Sequence, residues 1–438
     1  MFYRFFQAVM SLLLRQFFRI AAPVDPLNGL KSTGPVIFVG NHPNGLIDPG
    51  LVFILAKREV TFLAKEPLFK IPVLGLVLKG VHALPVYRKQ DGANTVANDS
   101  TLTASVAALK AGRAITIFPE GKSHSEPQLS ALKTGCARIA LDAVRQGARV
   151  RIVPIGLTYD AKNRFKSRVH VEVGAPIEAS AFQEQPGEDP FEAAKRLTSA
   201  IADGLRQVTL NLAQWEDLPI VETAESLFAL KQGEAAGSVE RHRAFARGMA
   251  LLREEQPERF ESLKQQVASF RRRLDLVQVT PEELTFRYRP ATVARFVLRN
   301  LLWVLGLPLF AVGMLLFTIP YWVPITMSMV TKAEDDVEST IKVFTLLVLA
   351  PVWWALLTIG TAVLAGPAWA AVMFFGAPPL ALFTRWYFER RSAALRDART
   401  FFVFWSRSRL KQRLLAEGEG LSAEINQVAE ELRPRVVA

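Results

Sequence analysis

The sequence predicts an α/β domain with a mixed, largely parallel sheet flanked by helices, then an added helical region and C-terminal transmembrane helices. Two observations lead to this fold class. Short β-rich runs alternate with helical stretches between residues 25 and 215, a pattern typical of a sheet covered by helices on its faces. Beyond them the chain is uncharged from 300 to 331 and again from 343 to 384. Half of all residues are hydrophobic, which excludes a disordered protein.

The N-terminal segment is predicted to lie on a membrane surface. Residues 1–22 carry Arg4, Arg15 and Arg19 among many aromatic residues and leucines. The longest apolar run is too short for a membrane span, and an interfacial amphipathic helix fits this composition. The alternative is a core helix that packs on the following domain.

Six β-rich runs define the strands of the α/β domain. Between them lie helical stretches, so parallel neighbours are expected. From 216 to 290 the chain is polar, helical in pattern and without a site-like cluster. The strands are predicted at 36–40, 59–64, 83–87, 114–118, 150–159 and 169–174.

The two uncharged stretches predict membrane crossings, since one span needs roughly 20 apolar residues. The stretch from 300 to 331 suits one tilted or proline-broken helix, and the stretch from 343 to 384 is about twice the required length at ~1.5 Å per residue. Arginines flank the pair on the outside, whereas acidic residues lie between them. The positive-inside rule places both outer flanks in the cytoplasm, which requires an even number of crossings. Two spans are favoured, with the surplus of the second stretch re-entrant or interfacial.

These patterns divide the chain into five segments, and they place the α/β domain on the cytoplasmic side of the membrane. The segments are an interfacial amphipathic helix at 1–24, the α/β domain at 25–215, a helical region at 216–290, a transmembrane region at 291–385, and a cytoplasmic amphipathic and charged helical tail at 386–438.

Charge and cysteine content narrow the function classes. With 53 basic against 41 acidic side chains the net charge is +12, which favours nucleic acid, anionic lipid or phosphate-bearing substrates as partners. The high apolar content favours a membrane, so no nucleic-acid partner is expected. The single cysteine, Cys136, excludes an internal disulfide and an all-cysteine zinc site. The five histidines are scattered, and no metal site is predicted.

Polar residues follow three of the predicted strands. Because ligands bind beyond the carboxyl ends of strands in open α/β sheets, these segments are expected to meet in one crevice. A histidine beside a carboxylate supplies an oriented general base, and basic side chains with glycine N–H groups suit a phosphate. Each element alone has an ordinary explanation, such as a surface histidine or a solvated edge. The candidates are Asn41, His42, Gly45 and Asp48 after the first strand, Arg88 after the third, and Glu120, Gly121, Lys122 and Ser123 after the fourth.

At these residues the sequence resembles the glycerolipid acyltransferases, a superfamily that includes lysophosphatidate and glycerol-3-phosphate acyltransferases. Four blocks of that family are matched in order within 36–160. They are NHPNGLIDP at 41–49, similar to the family's His-x4-Asp block, GVHALPVYR at 80–88, FPEGKSHS at 118–125 and VPIGLTY at 153–159. A connecting segment, FLAKEPLFKIPVLG at 62–75, is also similar. The resemblance covers the α/β domain, less than half of the chain.

Two departures resemble the fungal-type branch that acts on glycerol-3-phosphate or dihydroxyacetone phosphate. Five residues separate His42 from Asp48, where most members have four, and a tight turn through Asn44 and Gly45 is expected to absorb the extra one. Lys122 and Ser123 replace the usual Thr-Arg pair after FPEG. The positive charge is then expected from Lys122 or Arg88.

The resemblance implies a membrane-bound enzyme that moves an acyl group from a thioester donor to a hydroxyl of glycerol-3-phosphate or dihydroxyacetone phosphate, in phosphatidic acid and phospholipid biosynthesis. His42 would be the base, with Asp48 fixing its tautomer. Asn41, Gly45, Arg88, Glu120, Gly121, Lys122 and Ser123 would bind the substrate and its phosphate. No cofactor is implied, because acyl-CoA or an acyl carrier protein is a co-substrate. Lysophosphatidate or another lysolipid stays open as the acceptor, and a basic, membrane-tethered scaffold is the alternative from another class.

Overall fold

The computed structural model describes residues 2–56, 58–72, 74–87, 98–285, 304–332, 334–406 and 408–437, without the side chains of 391–408 and 437. The chain forms two compact units. The α/β unit comprises Met1–Leu210 and Met327–Phe344. The helical unit comprises Asn211–Thr326 and Thr345–Ala438.

The α/β unit is built on one sheet whose strands run in the spatial order β1-β7-β6-β2-β5-β3-β4, with β8 beside β6. The pairs β1/β7, β2/β6, β2/β5, β5/β3 and β3/β4 are parallel, and only β7 and β8 pair antiparallel with β6. The predicted mixed, largely parallel sheet is therefore confirmed. The strands are β1 (Arg19–Ile20), β2 (Val36–Gly40), β3 (Val60–Lys65), β4 (Leu84–Val86), β5 (Ala114–Ile117), β6 (Arg151–Tyr159), β7 (Arg168–Val173) and β8 (Ile177–Glu178).

Helices cover both faces of this sheet. Strand β2 is buried along its whole length because its side chains alternate between the two faces, as expected for a central parallel strand. Val36 and Phe38 pack against α1 and α2, whereas Ile37 and Val39 face the core formed by α4, α5 and α6. The helices of this unit are α1 (Phe2–Phe17), α2 (Ile47–Leu55), α3 (Leu74–Gly80), α4 (Asn98–Lys110), α5 (Gly135–Arg145) and α6 (Pro190–Val208).

Helix α1 has one face in the core and one face in solvent. Its buried residues include Met10 and Leu14, which pack on the same cluster as α2. On its other face Phe5 is 67% exposed and Leu12 is 62% exposed. The packed face matches the core-helix alternative, and the exposed apolar face suits a membrane surface. Its interfacial role stays a prediction.

The helical unit contains α7 (Leu218–Gln232), α8 (Val239–Glu255), α9 (Pro257–Val277), α10 (Pro281–Leu284) and the C-terminal helix Ser408–Val437. Its core includes Leu227, Phe270 and Ile425, contributed by three of these helices. Buried Asp217 is paired with Arg253 at 2.8 Å and with Lys264 at 3.1 Å. Such pairs fix the relative positions of helices, since a buried carboxylate needs a partner.

Among the described residues, three helices are long and apolar enough to cross a membrane. They are α11 (Leu307–Val330), α12 (Asp335–Ala365) and the part of α13 (Pro367–Ser406) up to Arg390. Many large apolar side chains on them are exposed, among them Leu364, at 88%. The count of two crossings stays a prediction, because length and composition alone define these candidates.

Candidate active site

His42 and Asp48 meet at the carboxyl end of β2. The chain leaves this strand at Gly40, turns through Asn44 and Gly45 and enters α2, so that His42 Nδ1 lies 2.9 Å from Asp48 Oδ2. Gly45 has a φ of +29°, a region that favours glycine. The expected turn thus accommodates five intervening residues and keeps the His–Asp contact.

Asp48 is a fully buried acceptor of three hydrogen bonds. Besides the His42 ring, the Asn44 N–H donates to Oδ2 at 2.7 Å, and the Tyr159 hydroxyl donates to Oδ1 at 2.6 Å. A carboxylate in this setting only accepts, so His42 Nδ1 carries the proton and Nε2 has the free lone pair. Nε2 makes no hydrogen bond to any residue in the described part of the chain. The His42 ring stacks on Phe118 at 4.2 Å between ring centres, and the His42 side chain is 17% exposed.

Glu120 holds the backbone of His42 in place. Its Oε1 accepts the His42 N–H at 3.0 Å, and its Oε2 accepts the Ser130 N–H at 2.7 Å. The carbonyl of His42 accepts the His124 N–H at 3.1 Å. The FPEG segment therefore supports the His42 loop through backbone bonds on both sides. Both oxygens of Glu120 thus accept hydrogen bonds from the protein backbone, and its expected contact with the phosphorylated substrate stays a prediction.

His124 is a donor here rather than a base. Its Nδ1 accepts the Glu126 N–H at 3.2 Å, so the proton of the neutral ring lies on Nε2, as judged from the hydrogen-bond network. That nitrogen contacts Glu120 Oε2 and lies 3.0 Å from Ser130 Oγ. His124 thereby completes the support of Glu120.

The other predicted site residues differ in how far they are free to bind a substrate. Both groups of the Asn41 amide are engaged by Leu157: its Nδ2 donates to the carbonyl at 3.0 Å and its Oδ1 accepts the N–H at 2.8 Å. The Gly121 N–H donates to the Phe118 carbonyl. Lys122 is exposed and Ser123 is half-buried at the same edge. Arg88 lies outside the described residues.

Three residues of the site were missed by the sequence reasoning. Tyr159 ends β6 beside β2, and its hydroxyl is bonded to Asp48; burial and the nearby Asp48 charge raise its pKa well above the usual value. Lys162 donates to the Pro43 carbonyl at 3.1 Å and to Ser125; burial lowers its pKa. Lys133 lies over Gly121, where a Cβ would come within 2.5 Å of its Nζ. The signal for Tyr159 was its position at the carboxyl end of a strand.

Within the described residues, no group of three or more His, Cys, Asp or Glu side chains could hold a metal ion. Cys136 is buried in the core on one face of the sheet, and its burial raises the thiol pKa to about 12. The described site contains an oriented imidazole and its carboxylate partner, with three lysines, Lys122, Lys133 and Lys162, on the neighbouring segments.

Comparison with known proteins shows what this part of the chain resembles. The family model described as Acyltransferase matches residues 24–158. This part of the chain is therefore similar to the acyltransferases. This range holds His42, Asp48 and Glu120, and it ends one residue before Tyr159.

Named relatives are similar to this part of the chain. Glycerol-3-phosphate O-acyltransferase 2 of Saccharomyces cerevisiae is 27% identical over 277 residues, 57% of this chain and 36% of that protein. Glycerol-3-phosphate O-acyltransferase 1 of the same yeast is 38% identical over 120 residues, 26% of this chain and 16% of that protein. The chain thus spans about a third or less of the length of these relatives.

A bacterial relative is matched over more of its own length. The 1-acyl-sn-glycerol-3-phosphate acyltransferase of Bacillus subtilis is 27% identical over 159 residues, 36% of this chain and 72% of that protein. The crystal structure of a 1-acyl-sn-glycerophosphate acyltransferase from Thermotoga maritima aligns with 18% identity and a TM-score of 0.34, over 46% of this chain and 79% of the other.

Proposed function

We propose that the protein is a membrane-bound O-acyltransferase that moves a fatty acyl group from a thioester donor to a hydroxyl of a glycerol phosphate. The observation that carries this proposal is the His42 ring, whose Nδ1 proton is committed to Asp48 while Nε2 is left to accept a proton. A hydroxyl is a poor nucleophile at neutral pH, so it needs such a base when it attacks. The match to the acyltransferase family supports the same chemistry.

The reaction follows from these positions. The acceptor hydroxyl oxygen attacks the thioester carbonyl carbon, and His42 Nε2 takes the hydroxyl proton. Asp48 stabilises the imidazolium without taking its proton. As the tetrahedral intermediate collapses, the carbon–sulfur bond breaks and the leaving thiolate takes the proton from His42. The acyl ester, the free thiol and the neutral imidazole are the products.

The phosphate of the acceptor would be held by cations at the rim of the site. Lys122 is exposed at the FPEG turn, and Lys133 lies over Gly121. Arg88 follows β4 in sequence and is proposed to join them. An ammonium near a phosphate gives a charge-assisted contact that does not depend on the rest of the substrate, so these residues would select a phosphorylated acceptor.

Glycerol-3-phosphate or dihydroxyacetone phosphate is the acceptor we favour, because the two yeast relatives named for glycerol-3-phosphate match 57% and 26% of this chain. The Bacillus relative, named for 1-acyl-sn-glycerol-3-phosphate, favours lysophosphatidate as the second candidate. The donor would be acyl-CoA or an acyl carrier protein, and no further cofactor would take part.

Membrane attachment suits this reaction, since the acyl chain and the product partition into lipid while the thioester and phosphate groups stay in water. The candidate spans in α11 to α13 and the exposed apolar face of α1 would hold the α/β unit at the lipid surface. The arginine-rich flanks of the uncharged stretches favour a cytoplasmic position for this unit.

Acyl transfer by the purified full-length protein tests the proposal. Glycerol-3-phosphate, dihydroxyacetone phosphate and lysophosphatidate would each be supplied with an acyl-CoA and with an acyl carrier protein, and the lipid products resolved by mass. We expect monoacyl products from the first two acceptors. Diacyl product from lysophosphatidate alone would select the second candidate. Absence of product from all three, together with salt-dependent binding to anionic vesicles, would indicate a scaffold instead.

A further inference from the structure

The start of α12 packs on the catalytic loop. The Thr340 hydroxyl accepts the Leu46 N–H at 3.1 Å, in the turn that joins His42 to Asp48. A Cβ placed on Gly45 would lie 2.8 Å from the Asp336 carbonyl and 2.9 Å from Thr340 Oγ1. The turn is therefore shaped against α12, because only a glycine leaves room for this contact.

The same segment also holds the loop that carries Lys162. The Ser339 hydroxyl donates to the Lys162 carbonyl, and Lys342 Nζ donates to the Asn163 carbonyl at 3.0 Å. Val343 is 3% exposed and belongs to the apolar cluster on the α1 and α2 face of the sheet. One short helical segment thus joins two loops of the site through three hydrogen bonds.

The charges of this segment are complementary to the site. Asp335, Asp336 and Glu338 all act to raise the pKa of Lys162, against the larger effect of its burial. Sequence alone explained these acids only as the loop between two spans. Their position beside a half-buried lysine gives them a partner within the α/β unit.

We propose that residues 335–343 lie on the same side of the membrane as His42 and position the catalytic loop, with Thr340 as the positioning residue. If this segment shares a side with the α/β unit, the number of complete crossings between Leu210 and Asp335 is even. The chain between these residues contains one described candidate span, α11. Helix α11 then makes no complete crossing, because both of its ends lie on the side of the membrane that carries the α/β unit.

Helices α12 and α13 then form the membrane hairpin, with Gly366 at its tip. This arrangement keeps the two crossings predicted from the charge pattern and assigns them to different helices. It also returns the chain, at Arg385 and Arg390, to the side of the α/β unit, as the positive-inside rule requires.

Cysteine labelling tests the sidedness without any reference to activity. The native Cys136 is 2% exposed and its thiol pKa is raised, so we expect little labelling of this residue in the folded chain. Glu334→Cys, Ala365→Cys and Ala111→Cys each introduce one exposed thiol, and Ala111 reports the α/β unit. Sealed vesicles would be treated with a membrane-impermeant maleimide, before and after detergent.

We expect Glu334→Cys to label together with Ala111→Cys, and Ala365→Cys to label as the opposite group, whichever way the vesicles are oriented. Labelling of Glu334→Cys in the group opposite to Ala111→Cys would overturn the proposal, because α11 would then cross the membrane. Labelling of all three cysteines from one side would contradict the α12–α13 membrane hairpin, because the end of α12 at Ala365 would then lie on the side of the α/β unit.

Kinetics test the positioning role, which rests on the proposed function. Thr340→Val removes the acceptor of the Leu46 N–H, and we expect kcat to fall about tenfold with little change in KM. Thr340→Ser keeps the hydroxyl and should restore kcat. The matched control is Thr358→Val, whose hydroxyl donates within its own helix. Equal kcat for Thr340→Val and Thr358→Val, in variants of equal stability, would contradict the role of Thr340 and leave the labelling result standing.

Discussion

Two fully buried aspartates, one in each unit, show how the same side chain serves different ends. Asp48 accepts from an imidazole, a backbone N–H and a tyrosine hydroxyl. Asp217 in the helical unit is paired instead with Arg253 and Lys264. The partners of Asp217 are a guanidinium and an ammonium group, which only donate hydrogen bonds, whereas the imidazole beside Asp48 has one ring nitrogen that donates and one that can accept.

The different partners of Asp48 and Asp217 indicate which of the two sites can take part in proton transfer. An arginine or lysine pair fixes two helices but offers no lone pair to accept a proton from a substrate, so we interpret Asp217 as structural. Glu225 is similar, since it is buried and bonded to Arg241. The Asp48 site leaves one nitrogen of its partner free. Substitutions in the two units should therefore change different quantities, rate in one and stability in the other.

The largest expected effect is on rate. His42→Ala removes the general base, and acyl transfer should fall by about 10² to 10⁴ in kcat while the free energy of unfolding changes little. The matched control is His170→Ala, because His170 is also 17% exposed and lies 3.4 Å from a carboxylate, Asp160. Equal activity of the two variants would contradict the assignment of His42.

Asp217→Asn should give the reverse result. Breaking a buried pair costs about 3 to 5 kcal/mol, so the free energy of unfolding should fall by that amount while kcat of the folded enzyme is kept. Burial acts to raise the pKa of Asp217, but its bonds to Arg253 and Lys264 lower the pKa below 3.8. Its contribution is thus present above pH 3.8 and lost as pH falls through the folded pKa. Urea titrations of wild type and Asp217→Asn at several pH values measure this difference in the free energy of unfolding. A variant with full stability and a lower kcat would contradict the structural role of Asp217.

Tyr159→Phe should have a smaller effect. It removes one of three donors to Asp48 and leaves the carboxylate bonded to His42 and Asn44. We expect kcat to fall about tenfold, the equivalent of one lost hydrogen bond to a charged group. Steady-state kinetics with KM and kcat resolved would check it. An unchanged kcat would show that two donors are enough to orient Asp48.

The smallest effect concerns Cys136, a buried ionisable group in an apolar core. Below pH 9 its thiol is protonated in both the folded and the unfolded chain. Between pH 9 and its folded pKa of about 12, only the unfolded chain loses the proton, so stability falls as pH rises. Unfolding of wild type and of Cys136→Ala at pH 8 and pH 10.5 isolates this slope. If the free energy of unfolding depends on pH equally in wild type and Cys136→Ala, the thiol is hydrated in the folded state.

The strands and the paired motifs were predictable because they depend on local pattern. Runs such as VIFVG can only be buried strands when helices flank them, and parallel strands bring their carboxyl ends to one edge, so His42 and Glu120 were expected to be neighbours. What each side chain bonds to was not predictable. The commitment of Asn41 to Leu157 and of Glu120 to the His42 backbone depends on atoms far apart in sequence.

The contribution of α12 had no signal in the sequence. Thr340 lies about 300 residues from His42, at the edge of an apolar stretch where a polar residue usually marks only the membrane boundary. Tyr159 was similarly read as the end of a strand. Long-range hydrogen bonds of this kind require the tertiary fold before they can be assigned.

The pairing of β1 with β7 has a consequence for synthesis on the ribosome. Arg19 pairs with Arg168, so the first strand is made long before its partner. At 5 to 20 residues per second the interval is roughly 7 to 30 s. During that interval α1, with Phe5 and Leu12 on its surface, lacks the sheet edge on which it ends. A lipid surface or a chaperone that shields α1 would then prevent aggregation before the α/β unit has folded.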